Sequence, residues 1–341
     1  MKHIFYLHSN ICAIVSYSII SELVRNNEEV VIVSERKTTF PSFNDKIKIF
    51  DVQHVIDTFR KKDQKLIGHV INYKFDLIPQ LKKFAKEIID SQKFILYIPS
   101  CNMFTIKHFL KDKNCCGYYF IEEGTLSYLS KGKLKERYFT SKYRQGKILL
   151  SLLGMGVAYE FKQSNKFMGC ICLSDKGFPW CPGSQKKVVD IKESLSAFEK
   201  NTIKTDVVIT TDYLRGPLNN YLKAFDLVIN NIVEENPNIT IYIKFHPTAY
   251  LFEETKMKKI CGFIDGKYFK NVKGYLPPSF LMEGFLCDSR VSLYSIFGIS
   301  SLLLYALAFG STAFIVNMDN DEVRTDEIDG VDKFLELSNN T

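Results

Sequence analysis

The chain reads as an α/β protein built from two Rossmann-like lobes facing across a cleft. Three observations predict this. Strand-like apolar runs alternate with helix-periodic segments, the pattern of βαβ units with a mostly parallel sheet. The alternation breaks over a basic, then loop-like, middle stretch and begins again near Asp206. The length, 341 residues, accommodates two ordinary domains. We place the lobes at 1–180 and 181–341.

The elements follow in order. His3–His8 (HIFYLH) is strand-like, and the segment after it carries Ile11, Ile14, Val15, Ile19 and Leu23 at helical spacing. This is a first βα unit rather than a signal peptide, because Lys2 is the one basic residue there and no small-residue cleavage site follows. EVVIVSE is the next strand. FDLIPQLKKFAKEIID sets Leu77, Leu81, Phe84 and Ile88 on one helix face. FILYIPS, NMFTIKHFLKD and GYYFIE then read as strand, helix and strand. Residues 131–147 hold seven basic residues and one acid, which fits either a basic surface loop or a patch that docks on an anionic membrane leaflet together with the apolar ILLSLLGMGVAYEF. The stretch to DKGFPWCPGS is loop-like. The second series opens with VVITTDYL as a strand. A helix follows with Leu218, Leu222, Phe225, Val228, Ile229 and Ile232 on one face, then the strand ITIYIKF, ending at His246-Pro247. VSLYSI is a strand, SSLLLYALAF a helix stopped by Gly310, and STAFIV a last strand; the remainder is a polar, acidic tail.

Composition narrows the function. A net charge of +7 is mild for this length; it suits an anionic ligand and, without a nucleic-acid motif, does not call for RNA or DNA. Nine cysteines, an odd number without CxxC or CxxH pairs, read as reduced thiols of a cytoplasmic protein. There is no G-x-S-x-G and no glycine-rich phosphate loop; the turn after the first strand is HSNICA.

Six places could carry chemistry. Glu122 and Glu123 close the strand GYYFI, and strand alternation sends them to opposite faces, so both cannot be core. Gly124 permits a sharp turn, and a carboxylate there is either a general base or a solvated turn residue. His246 stands where a strand meets Pro247, with Lys244 two residues earlier; it either faces a phosphate or bonds a nearby carbonyl. Ser300-Ser301 open a helix, as a phosphate seat at its positive end or as a plain N-cap. Glu283, in an apolar helix-like stretch, is a ribose acceptor or one exposed helix position. Thr210, Thr211 and Asp212 follow the first strand of the second lobe and could line a nucleotide pocket. Asp319 and Asp321 form a D-x-D pair in the tail, where carboxylates are usually just solvated.

Together these segments resemble the bacterial sialyltransferases of lipooligosaccharide and capsule type, which carry an acidic-acidic-Gly motif, a His-Pro motif and a Ser-Ser/Thr motif in that order. Here they stand as Glu122-Glu123-Gly124, His246-Pro247 and Ser300-Ser301. The resemblance implies a GT-B fold and inverting, metal-independent transfer of sialic acid from CMP-sialic acid, with no cofactor, to a galactose-type hydroxyl of an oligosaccharide or glycolipid acceptor. It assigns the base to Glu123, with Glu122 in reserve. The CMP phosphate goes to His246, which also protonates it, and to Ser300 and Ser301; the ribose goes to Glu283. The alternatives are a transferase of the same fold using another CMP-linked or nucleotide sugar, and a non-catalytic two-lobe binding protein of a polysaccharide pathway. The expected location is the cytoplasm, with peripheral contact at the inner membrane.

Overall fold

The computed structural model describes residues 1–35, 47–53, 55, 73–101, 103–140, 161–198, 203–211, 214, 216–319 and 322–340. The chain divides into two compact units, Met1–Glu199 and Lys200–Thr341.

The first unit runs β1 (Lys2–Leu7), α1 (Asn10–Arg25), β2 (Glu29–Ser34), β3 (Lys48–Asp51), a π turn (Tyr73–Leu77) leading into α2 (Ile78–Ile89), β4 (Phe94–Ile98), α3 (Phe104–Lys111) and β5 (Cys115–Ile121). It continues with a 3-10 turn (Thr125–Tyr128), α4 (Lys131–Thr140), β6 (Phe167–Cys172), β7 (Lys186–Val188) and α5 (Ile191–Leu195). The seven strands lie in the order β3-β2-β1-β4-β5-β6-β7, with every pairing parallel. β1 is buried along its whole length because it has neighbours on both edges and helix-bearing connections; this is why its sequence is a continuous apolar run rather than an alternating one. Ser9 caps α1 by accepting the Cys12 N–H. Phe120 anchors the end of β5. It is fully buried, with the rings of Phe161, Trp180 and Phe178 centred 5.2, 5.9 and 6.5 Å away. Burying such a ring stabilises by about 1.5–3 kcal/mol.

The second unit runs β8 (Val207–Thr211), α6 (Leu218–Glu235), β9 (Ile241–Lys244), α7 (Pro247–Phe252), α8 (Glu254–Tyr268), β10 (Val272–Tyr275), α9 (Met282–Asp288), β11 (Ser292–Ile296), α10 (Ser301–Ala308), β12 (Thr312–Asp319), β13 (Glu322–Glu327) and α11 (Gly330–Asn340). Its strand order is β10-β9-β8-β11-β12-β13, parallel except for β13, which runs antiparallel to β12. The buried face of α6 consists of Tyr221, Ala224, Phe225, Val228, Ile229 and Ile232, one register step from the expected face at its start.

The two parallel-sheet units expected from the alternation are present, and three expectations change in detail. The boundary expected after residue 180 lies at Glu199, because β7 pairs with β6 and α5 follows within the first unit. The stretch expected to be loop-like contains β6, paired with β5, and the basic run begins as the helix α4; residues 141–160 lie outside the described set. The expected polar tail is the edge strand β13 and the helix α11. An exposed edge strand, EVRTDE, carries charge where a core strand carries apolar residues.

Both sheets have the order 3-2-1-4 at their centre, so each chain path reverses direction beside its first strand. In the first unit the reversal lies between β1 and β4, in the second between β8 and β11. Ligands of such sheets bind beyond the carboxyl ends of the strands flanking that point.

Candidate active site

In the first unit, β5 ends at Ile121 and the two glutamates follow. The Glu122 N–H still bonds the Ile171 carbonyl (2.9 Å), so it keeps the strand's direction. Its carboxylate points inward and is fully buried. Tyr128 OH donates to Oε1 (2.9 Å) and the Leu173 N–H to Oε2 (2.8 Å). Burial and the adjoining Glu122 charge push the Tyr128 hydroxyl pKa upward, so it remains a donor. Gly124, at φ 116° and ψ −147°, breaks the alternation in a conformation open essentially to glycine alone. The Glu123 N–H donates to Ser127 Oγ (3.0 Å).

Glu123 therefore leaves the strand line, yet its side chain is only 8% exposed. Glu122 is fully buried and Glu123 only partly, so the two do not share the core. The glycine turn releases the second from the strand's alternation, and each carboxylate finds its own donors. Glu123 Oε2 lies 3.2 Å from His8 Nε2. Its other oxygen, Oε1, is buried without a hydrogen-bond partner among the described residues.

His8 follows β1 and is not among the residues expected from the sequence, where HSNICA stands out only for its missing glycines. The signal was available, since a histidine one residue past the first strand of a Rossmann-like unit stands at the ligand end of the sheet. Its Nδ1 lies 3.5 Å from Cys12 Sγ. That sulfur also receives the Ser9 hydroxyl (3.2 Å) and directs its own proton to the Glu122 carbonyl (3.5 Å). Burial favours a neutral ring, but the Cys12 sulfur and the Glu123 carboxylate outweigh it and raise the His8 pKa to about 10.

In the second unit, the expected nucleotide-binding residues cluster at the carboxyl ends of β8, β9 and β11. Thr211 is the last residue of β8 and is buried; its Oγ1 accepts the His246 N–H (3.4 Å). Thr210 Oγ1 donates to the Tyr294 carbonyl (3.2 Å), tying β8 to β11 across the reversal point. His246 is half-buried between β9 and α7, and exposed Pro247 is the first residue of α7, where a missing N–H costs nothing. After β11, Phe297 takes φ 58°, its ring packs on Tyr221 (5.0 Å), and Ser295 Oγ donates to the Gly298 carbonyl (2.8 Å). That turn delivers Ser300 as the N-cap of α10, its Oγ accepting the Leu302 N–H (3.2 Å), with Ser301 in the first turn. Ser300 thus performs the plain capping role, and its hydroxyl proton remains available for donation.

Glu283, in the first turn of α9, is buried rather than an exposed helix position. Burial pushes its carboxyl pKa up, opposed by Lys244. Lys244, at the end of β9, donates to the Pro277 carbonyl (2.9 Å), and burial lowers its pKa to about 8 against the pull of Glu283. The Lys244 side chain is therefore committed beside Glu283. Asp212 and Asp321 lie outside the described residues, as does the Asp319 side chain. Among the described residues no group of three or more His, Cys, Asp or Glu is arranged to hold a metal ion, and no helix is long and apolar enough to cross a membrane.

No family model matches the chain, and no curated protein matches it. Solved structures do. The UDP-GlcNAc 2-epimerase of Neisseria meningitidis, bound to UDP-GlcNAc, is similar at TM-score 0.53 and 13% identity over 94% of this chain and 84% of its own. Os79 of O. sativa, in complex with UDP, is similar at TM-score 0.55 and 9% identity over 98% and 89%. The UDP-GlcNAc 2-epimerase of Methanocaldococcus jannaschii, in complex with UDP-GlcNAc and UDP, gives 0.50 and 13% over 92% and 83%. At such identities the likeness is one of fold, and that fold, two parallel-sheet α/β domains of the GT-B type, is the fold of this chain.

Proposed function

We propose that this protein is an inverting, metal-independent glycosyltransferase that moves sialic acid from CMP-sialic acid to a galactose-type hydroxyl of a bacterial surface glycan. The observation that carries the reading is Glu123. Its carboxylate is held by one oxygen at the ligand end of the first sheet, and the other oxygen is buried without a partner among the described residues. A native orphan of this kind points to a missing ligand group, here the acceptor hydroxyl whose proton it takes. That hydroxyl oxygen bonds the anomeric carbon while the bond to the CMP phosphate breaks, and the electron pair leaves with the phosphate.

The second unit supplies what the departing phosphate needs. His246 is set by Thr211, and Ser300 with Ser301 stands at the positive end of α10. Glu283 takes the ribose hydroxyls. The order of the three short motifs supports the CMP-linked donor. A second reading, a UDP-sugar donor, is favoured by the UDP ligands of the structural neighbours.

The deciding experiment combines calorimetric titration of CMP and UDP with transfer of labelled sialic acid from CMP-sialic acid to lactose in the presence of a chelator. CMP binding with chelator-resistant transfer is expected. UDP binding without CMP binding replaces this reading with the second, and binding of neither removes both.

A further inference from the structure

Three acids crowd the ligand end of the first sheet, and two are held by neutral donors. Tyr6 OH donates to Glu35 Oε2 (2.6 Å) and Tyr128 OH to Glu122 Oε1 (2.9 Å). Glu123 is paired with a titratable base, His8 (3.2 Å). Cys12 Sγ lies 3.5 Å from both the Glu122 carbonyl and His8 Nδ1. With the thiol proton on the carbonyl, the sulfur accepts from Nδ1, the carboxylate accepts from Nε2, and His8 is an imidazolium; with the thiol proton on Nδ1, the ring is neutral.

We propose that His8 is the positioning residue of the base: its fixed positive charge keeps the buried Glu123 carboxylate ionised and binds Oε2, so that Oε1 alone is presented to the acceptor. The proposal rests on the reading of Glu123 as base. Burial disfavours the charged form of a carboxylate in general, and a neutral carboxyl cannot take a proton. Cys12 from α1 touches the ring at Nδ1, and its sulfur also reaches the Glu122 carbonyl; Ser127 from the turn after β5 accepts the Glu123 N–H. Fold placement agrees, since β1 is an interior strand buried along its length and Ser9 caps α1 directly after His8, so the ring sits between two ordered elements.

The test uses the full-length protein and His8→Gln, which keeps a donor and removes the charge. Carboxyl-carbon NMR of labelled glutamate, with Glu123→Gln to identify the resonance, is followed against pH beside the pH–rate profile of transfer from CMP-sialic acid to lactose. The Glu123 titration is expected to rise by about one unit or more in His8→Gln. The acid limb of kcat should move up with it, with donor KM unchanged and activity recovering at high pH. An unmoved resonance overturns the proposal, as does a rate lost equally at every pH. If His8→Gln fails to fold, the parent decides through ring-nitrogen NMR: both His8 nitrogens protonated at about pH 8 supports it, and a neutral ring overturns it. If the parent shows no transfer from CMP-sialic acid, the functional reading falls, while the two titrations still decide the ion pair.

Discussion

Two adjacent glutamates with different partners make different predictions when changed. Glu122 bridges Tyr128 and the Leu173 N–H in a fully buried position. Glu122→Ala strands both donors, and unfolding in urea should show a loss of roughly 2–5 kcal/mol. Glu123 holds His8 by one oxygen, and its other oxygen has no partner among the described residues. Glu123→Gln should retain CMP affinity yet lower kcat by roughly 10²–10⁴, the usual weight of a general base, and should also lower stability near neutral pH, because it leaves the buried His8 charge without its partner. A mutant that transfers as fast as the parent ends the base assignment. The identity of the inward glutamate was not legible in the sequence, because it depends on the residue at which strand geometry stops. Gly124 announces a turn without saying whether Glu122 or Glu123 is the last residue still in line with β5.

Element ends carry the candidate residues of each unit, and their backbone is specific. Gly124 at φ 116° and ψ −147° sets the direction of Glu123. Gly124→Ala should cost about 1–3 kcal/mol and lower kcat, because relieving the strain swings the carboxylate away from His8. Ser300 gives a sharper division. Loss of its cap alone costs about 1 kcal/mol of stability and leaves nucleotide affinity untouched. As a phosphate ligand, Ser300→Ala should also weaken CMP binding in calorimetry, and that second effect is the expected one. The elements bearing these residues were legible where burial dictates composition. β1, β5, β8 and β9 are continuous apolar runs because parallel strands are covered on both faces. β6 was missed because FMGCIC is short and broken by Gly169, which lies against the Gln185 carbonyl. β13 was missed because an exposed antiparallel edge carries charges. His8 was missed for another reason: it earns its role only through Cys12 and Glu123, the latter more than a hundred residues away in sequence.

Over the whole molecule, His8 and Lys244 give the units opposite responses to pH. His8 in the first unit has a folded pKa near 10, above the ordinary 6.5. Its contribution to stability is complete below about pH 6.5 and is lost as pH rises toward 10, because the folded state holds a proton that the unfolded chain has released. Lys244 in the second unit has a folded pKa near 8, below the ordinary 10.5. Below about pH 8 its burial is a full penalty. Between 8 and 10.5 the unfolded chain binds the extra proton, so the penalty fades and stability rises with pH, by up to about 3 kcal/mol. Paired variants separate the two. His8→Gln should be most destabilising near pH 6.5 and approach the parent near pH 10. Lys244→Met, which also strands the Pro277 carbonyl, should gain most over the parent near pH 7 and lose that advantage near pH 10.5. Urea unfolding of each variant against the parent across this range reads both slopes. If the two slopes share one sign, at least one cation does not carry the charge that its surroundings assign to it.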